Sequence, residues 1–276
     1  ASSGARFNHI RAAFAHIPAD ECVPALTEAI DRLTAGSAHT RGILQNTCEA
    51  CGFVGDPRLV PPLKRAAMVR ESPGSPLFHK GVQRAAAEAL GRCATPAQAG
   101  DLWQWFLGRG GQKSPGTYAQ WHLVGALIRI DPAGAPRRLG AILADSALRQ
   151  PLEAVVLEHA QKLPARQLAP VMIRFFAEFH GQNKLILARL LHQGGYQQGT
   201  DYLLERLEKA EAPGVRATII QALGKAEGRK WTEEALRFVS DPAVDVNLAV
   251  ISAVAEKPGE MVDDALAVLA NAPHPM

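Results

Sequence analysis

The residue types able to do covalent or metal chemistry are thinly spread in this sequence. Cys48-Glu-Ala-Cys51 has the CxxC spacing of a redox pair or of half a zinc site. There is no second CxxC, and Gly52 stands where haem attachment needs a His. Both thiols fall inside a helical pattern, where small, weakly polar cysteines serve as core fillers. The nine histidines form no HxxxH or HExxH pair, so two imidazoles on one helix face, the common start of a metal site, are not supplied. No GxSxG occurs. Gly108-Arg-Gly-Gly111 with Lys113-Ser114 has the wrong glycine spacing for a phosphate-cradling loop. These patterns point to no catalytic residue, no metal and no cofactor.

Recognition chemistry is better represented. In Trp103-Gln104-Trp105 the two indoles lie about 200° apart on a helix, so both cannot enter one core. With Leu102, Trp103 and Phe106 as the inward stripe, Trp105 is expected near the open face, as an exposed indole offering a contact. Phe175, Phe176 and Phe179 span one helical turn and are expected in the core. Two Gly-, Ser- and Pro-rich stretches, Arg70 to Phe78 and Gly108 to Thr117, flank one helix pair and are the longest connections. Loops carry binding residues more often than scaffolds do, so these two are candidates to join a site beside Trp105.

The elements that must position these residues follow from a repeat. "VQRAAAEALG" at Val82 to Gly91 and "VRATIIQALG" at Val215 to Gly224 share Val, Ala, Leu and Gly at matching places. An apolar-small pair closing a helix-period segment recurs with its second residue at Ala15, Gly52, Gly91, Ile128, Gln161, His192, Gly224 and Ala255, about 34 residues apart on average. Turn residues mark the joints: Pro18, Asp56-Pro57, Pro96, Asp131-Pro132, Pro164, Gly194-Gly195, Gly228 and Pro258-Gly259. Proline in the first turn of a helix removes an N–H that has no helical partner, so the joints read as helix starts. The shared Ala, Leu and Gly read as packing residues, with the Gly ending the helix. β-branched alternation is not sustained, and the chain reads as all-α, built from about eight helix pairs. One pair cannot bury its own apolar face, so neighbours must stack.

The segments "VRATIIQALGKAEGRKWTEEALRFVSDPAVDVNLAVISAVAEKPGEMVDDALAVLA" and "KGVQRAAAEALGRCATPAQAGDLWQWF" resemble tandem HEAT-like repeats, including the Asp241-Pro242 turn followed by Val244 and Val246. The resemblance implies a right-handed α-α superhelix, one domain over 1–276 with approximate repeats at 6–36, 39–70, 78–108, 117–146, 148–180, 183–210, 213–241 and 243–272. It also implies that the second helices of the pairs line a concave binding face. Aligning those helices places Leu26, Leu63, Leu102, Leu139, Val171, Leu203 and Ala265 on the core seam. Arg65, Gln104, Trp105, Arg138, Arg174, Tyr202, Arg206 and Arg237 then fall on the open side, together with Asp101, Glu205 and Glu234. Arg and aromatic side chains are enriched at protein–protein hot spots, so the first eight are the expected partner-binding residues.

Function classes narrow accordingly. A net charge of +3 gives no strong non-specific pull on nucleic acid. No run approaches the roughly 18 apolar residues of a membrane span. Among enzymes on similar solenoids, deoxyhypusine hydroxylases use repeated His-Glu dipeptides, and the chain has none. An alkylpurine DNA glycosylase-like enzyme is the alternative reading, because Trp103, Trp105, Asp101 and Arg138 match its composition, though not its arrangement. Phycobilin lyases share the repeat class, but no motif here selects a bilin. The expectation is a non-enzymatic, monomeric scaffold that binds a protein or peptide through its concave face.

Overall fold

The computed structural model describes residues 17–35, 40–69, 78–210, 212–224, 236–239, 241–255 and 267. Among these the chain is all-helical, with no strand, and no helix is long and apolar enough to cross a membrane. It divides into two compact units, Ala1–Val156 and Leu157–Met276, each considered by itself. The loop at Arg70 to Leu77, the turn signals at Gly228 and Pro258-Gly259, Glu234 and Ala265 lie outside the described residues.

In the first unit the helices are α1 (Ala19–Thr34), α2 (Arg41–Val54), α3 (Val60–Ala67), α4 (Phe78–Cys93), α5 (Ala99–Phe106), α6 (Thr117–Ile130) and α7 (Ala135–Ala144). The division falls within α8 (Ser146–Ala160). The second unit continues with α9 (Ala165–Met172), α10 (Gly181–Gln193), α11 (Gln197–Lys209), α12 (Pro213–Gly224) and α13 (Val244–Ala255). Helices start where the turn residues place them. Asp56 accepts from the Arg58 N–H at 2.8 Å ahead of a 3-10 turn over Pro57–Leu59 that leads into α3. Thr95 and Gln98 form a reciprocal cap around Pro96 ahead of α5.

The first helices of successive pairs pack side by side, α2 on α4, α4 on α6, and α12 on α13. Each contact turns on one glycine. A methyl built on Gly91 would stand 3.0 Å from Cα and Cβ of Ala126, one on Gly224 2.9 Å from Cα of Ala253, and one on Gly52 3.3 Å from Cα of Ala89. In all three the partner alanine lies two residues before the next anchor position in the sequence, Gly91, Ile128 or Ala255. The glycines of the two ALG stretches are therefore close-approach points between helices. Gly91 lies inside α4 and does not end it, which corrects the capping role expected for it. The residue that does end α2 in the left-handed region is Gly55, with φ 68° and its N–H on Cys51 O at 3.0 Å.

The core seam is built largely as expected. Leu26, Leu63, Leu102, Leu139 and Leu203 are all buried, whereas Val171 is half-buried. Phe179 is buried, but Phe175 and Phe176 are only half so. There α9 tightens into a 3-10 segment over Ile173–Glu178 and Phe179 leaves it extended, so the three rings do not share one face. In the second unit His192 is buried between α10, α11 and α12. Its Nε2–H donates to Leu223 O at 3.1 Å, which leaves Nδ1 to accept from the Thr200 hydroxyl at 2.7 Å in the neutral ring.

Because backbone opposes backbone at the Gly91–Ala126 contact, a branched side chain there must push α4 and α6 apart. Gly91→Val is expected to cost about 1–3 kcal/mol, the usual range for overpacking. Gly100→Ala, where an added methyl meets nothing within 4 Å, serves as the control and stays near native. Thermal unfolding followed by circular dichroism separates the two; equal midpoints would remove the contact from its structural role.

Candidate functional site

Of the expected partner-binding residues, Arg65 and Trp105 come together in the first unit. They line an open hollow of about 410 Å3 with Pro61 and Lys64 of α3, Met68 at its C-terminal cap, and Gln112 and Lys113 of the loop that follows α5. The loop reaches this place because α5 ends in a Schellman motif: Gly108, at φ 67°, donates to Trp105 O at 3.0 Å, and Arg109 donates to Gln104 O at 2.9 Å. Buried Gln120 then pins it from α6, its Nε2 donating to Phe106 O at 2.9 Å and to the Ser114 hydroxyl at 3.1 Å.

Trp105 is 3% exposed, and Trp103 is the half-buried indole, stacked on Phe106 at 5.2 Å. The orientation expected from the sequence is therefore reversed. Trp105 turns toward α3 of the preceding pair, where the Lys64 ammonium lies 5.1 Å from its ring centroid and covers it. A cation over an indole contributes about 0.5–1 kcal/mol at a surface and more when water is excluded. Lys64 also donates to Gln112 Oε1 at 2.8 Å. Burial against this floor holds its pKa below the usual lysine value, with Asp101 acting in the opposite sense. Arg65 carries its charge at the rim, paired with Asp31 at 2.6 Å. Lys113 is exposed on the loop.

Arg138 is a second correction. It was expected on the open side but is 7% exposed, with Nη2 2.8 Å from Asp131 Oδ2. The other Asp131 oxygen accepts from Gly134 N–H at 3.0 Å, so one carboxylate caps the turn into α7 and holds the arginine seven residues on. Arg216 and Asp241 repeat the device in the second unit: Nε lies 3.0 Å from Oδ2, and Oδ1 accepts from Ala243 N–H at 2.9 Å. Gln104, Arg174, Arg206 and Arg237 are exposed as expected, and Tyr202 is half-buried edge-on to Phe176 at 5.6 Å.

Cys48, Cys51 and Cys93 are buried free thiols at the α2–α4 contact, with Cys93 Sγ 3.2 Å from Cys51 O. Burial pushes all three thiols up, Cys51 and Cys93 to about 12. They are packed core residues, and no cluster of His, Cys, Asp and Glu able to hold a metal occurs among the described residues.

Two further features escaped the sequence reading. Among the described residues Trp121 is the exposed indole, at 44%, edge to Tyr118 and stacked against His122 on α6. The signal was present: the buried set of α6 leaves positions 118, 121 and 122 on one face. A second hollow of about 400 Å3, in the second unit, carries Arg189 with the amides of Gln161 and Gln193. It has no aromatic floor and a single cation, so the hollow over Trp105 is the better-equipped contact site.

No protein-family model matches the chain, and no curated protein matches its sequence significantly.

Two outcomes follow from these geometries. The thiols should resist Ellman's reagent in the native protein and all 4 should react after denaturation in guanidinium; rapid native labelling of Cys48 or Cys51 would contradict their burial. The Gly134 amide and the Arg138 guanidinium hold the Asp131 carboxyl below its ordinary range. A depressed folded-state pKa stabilises the fold above the unfolded value of about 3.9, and that contribution is lost as pH falls through the folded pKa. Asp131→Asn should therefore lower the urea midpoint at pH 6, and the gap to the native protein should close as pH falls below about 4. A gap that persists unchanged at low pH would show that the charge of Asp131 is not what matters.

Proposed function

We propose that this chain is a HEAT-like α-solenoid module that binds a protein or peptide and does no covalent chemistry of its own. The repeat reading is supported by the glycine-to-alanine contact that returns in register at Gly52, Gly91 and Gly224. The observation that carries the binding reading is the hollow between second helices α3 and α5, floored by Trp105 and ringed by Lys64, Arg65 and Lys113. An apolar floor with a polar, charged rim is the composition of a recognition surface. A scaffold, an assembly factor or a toxin-neutralising partner would each use such a site. The glycosylase-like reading is weakened by Arg138, which would have to meet a DNA backbone and is instead committed to Asp131.

A photo-crosslinking amino acid placed at Lys113 should give a protein adduct in cells, while the same probe at exposed Glu208 on α11 should not. Adducts formed only with nucleic acid, or protein adducts equal at both positions, would overturn the reading.

A further inference from the structure

Resting on that binding role, we propose that the hollow over Trp105 selects an acidic linear segment carrying one apolar side chain flanked by carboxylates. Two properties of the hollow lead to this occupant.

The first is charge. Lys64, Arg65 and Lys113 line the same hollow, and no acidic side chain lines it with them. Asp31, the partner of Arg65, satisfies only that one rim cation. Lys113 is exposed, with no ion pair among the described residues. Lys64 is partly desolvated over the indole and hydrogen-bonded only to a neutral amide, Gln112 Oε1 at 2.8 Å. An ammonium in that condition has already lost part of its water, so pairing it with an incoming carboxylate costs less than pairing a fully hydrated lysine.

The second is the floor. Pro61 and Met68, backed by the buried Trp105, form an apolar base in a space of about 410 Å3, enough for one large side chain but too small for a folded element. Methionine adapts to side chains of different shape and favours contact with aromatic rings. One apolar anchor seated between Pro61 and Met68 would bring carboxylates on either side of it to Lys64 and Lys113.

A nucleic acid fits this site less well. Base stacking needs an open aromatic face, and Trp105 is 3% exposed beneath Lys64. The rim supplies three cations around one hollow, where a phosphate backbone calls for a continuous track.

The test is a selection from a random peptide library displayed on phage against the full chain, with a labelled single-stranded DNA pool run in parallel. Enriched peptides are expected to carry an aromatic or large aliphatic residue with Asp or Glu on both sides. In fluorescence polarisation a synthetic peptide of the enriched sequence should bind roughly tenfold more weakly to Lys113→Glu, weaken with added salt, and regain affinity for that variant when its facing acid is changed to Lys. Lys113 is on an exposed loop, so this variant keeps the fold; Trp105→Leu, which removes the floor, is read only if its circular dichroism is native. Neutral or basic enriched peptides, or acidic ones indifferent to Lys113→Glu, would overturn the acidic specificity and leave the peptide-binding role standing. Enrichment of no peptide, with or without salt-dependent DNA binding, would overturn both.

Discussion

The close approach of glycine to alanine between consecutive first helices is the constraint on which the rest of the structure depends. Helices in contact sit about 8–10 Å apart, the distance being set by the side chains between them. Gly52 on Ala89, Gly91 on Ala126 and Gly224 on Ala253 leave little or no room for a side chain between these helices, so their backbones approach closely. α3 follows α2 and α5 follows α4, so the close approach of Gly52 to Ala89 between α2 and α4 also bears on how near α3 comes to α5. Lys64 on one second helix lies over Trp105 on the next, a contact between adjacent pairs that would be lost if α4 and its neighbours moved apart.

Among the described residues, two groups of arginines do different work. Arg58, Arg138 and Arg216 are held by Asp56, Asp131 and Asp241, each of which also caps the start of the following helical turn or helix. A single carboxylate thereby satisfies both a backbone N–H and a guanidinium, which makes these arginines part of the joints. Arg65, Arg174, Arg206 and Arg237 are exposed on later turns of their own segments. The distinction is one of which side of the turn the side chain returns to. Both kinds occupy the polar edge of an amphipathic pattern, and only the folded joint separates them.

That is why the elements were legible in the sequence and the site was legible only in part. Proline and Asp-Pro joints mark helix starts through local backbone chemistry, and five of the seam leucines follow from a 3.6-residue period sustained along the chain. The loop after α5 stood out by its glycines, and it does reach the hollow through Gln112 and Lys113. The orientation of Trp103 and Trp105 did not follow, because α5 is 8 residues long and two indoles about 200° apart satisfy its pattern equally well in either rotation. The side chains that Trp105 meets, Pro61, Lys64 and Met68, lie about forty residues earlier in the chain and are invisible to any local period. Arg138 failed for a related reason: its partner lies across a turn at Asp131, outside the helix whose face was being read.

The lysine over Trp105 also bears on how an aromatic contact site can remain compatible with water. An uncovered indole contributes a large apolar area, and with Pro61 and Met68 beside it would form the sort of patch that promotes self-association. The other exposed large apolar side chains among the described residues of the first unit, Ile17, Ile43 and Trp121, do not line this hollow. Covering the ring with an ammonium keeps a charge at the surface while the aromatic face stays dry. The loss of water that depresses the Lys64 pKa is met by an attractive ring and a neutral amide, while the Asp101 carboxylate acts in the opposite sense without forming an ion pair with it. A site built in this way is closed to apolar surfaces that bring no charge, since they would have to displace the ammonium without replacing its interactions. On the proposed binding role it is open to a segment whose carboxylate meets the ammonium where it already lies, and that asymmetry is the source of the selectivity proposed for the hollow.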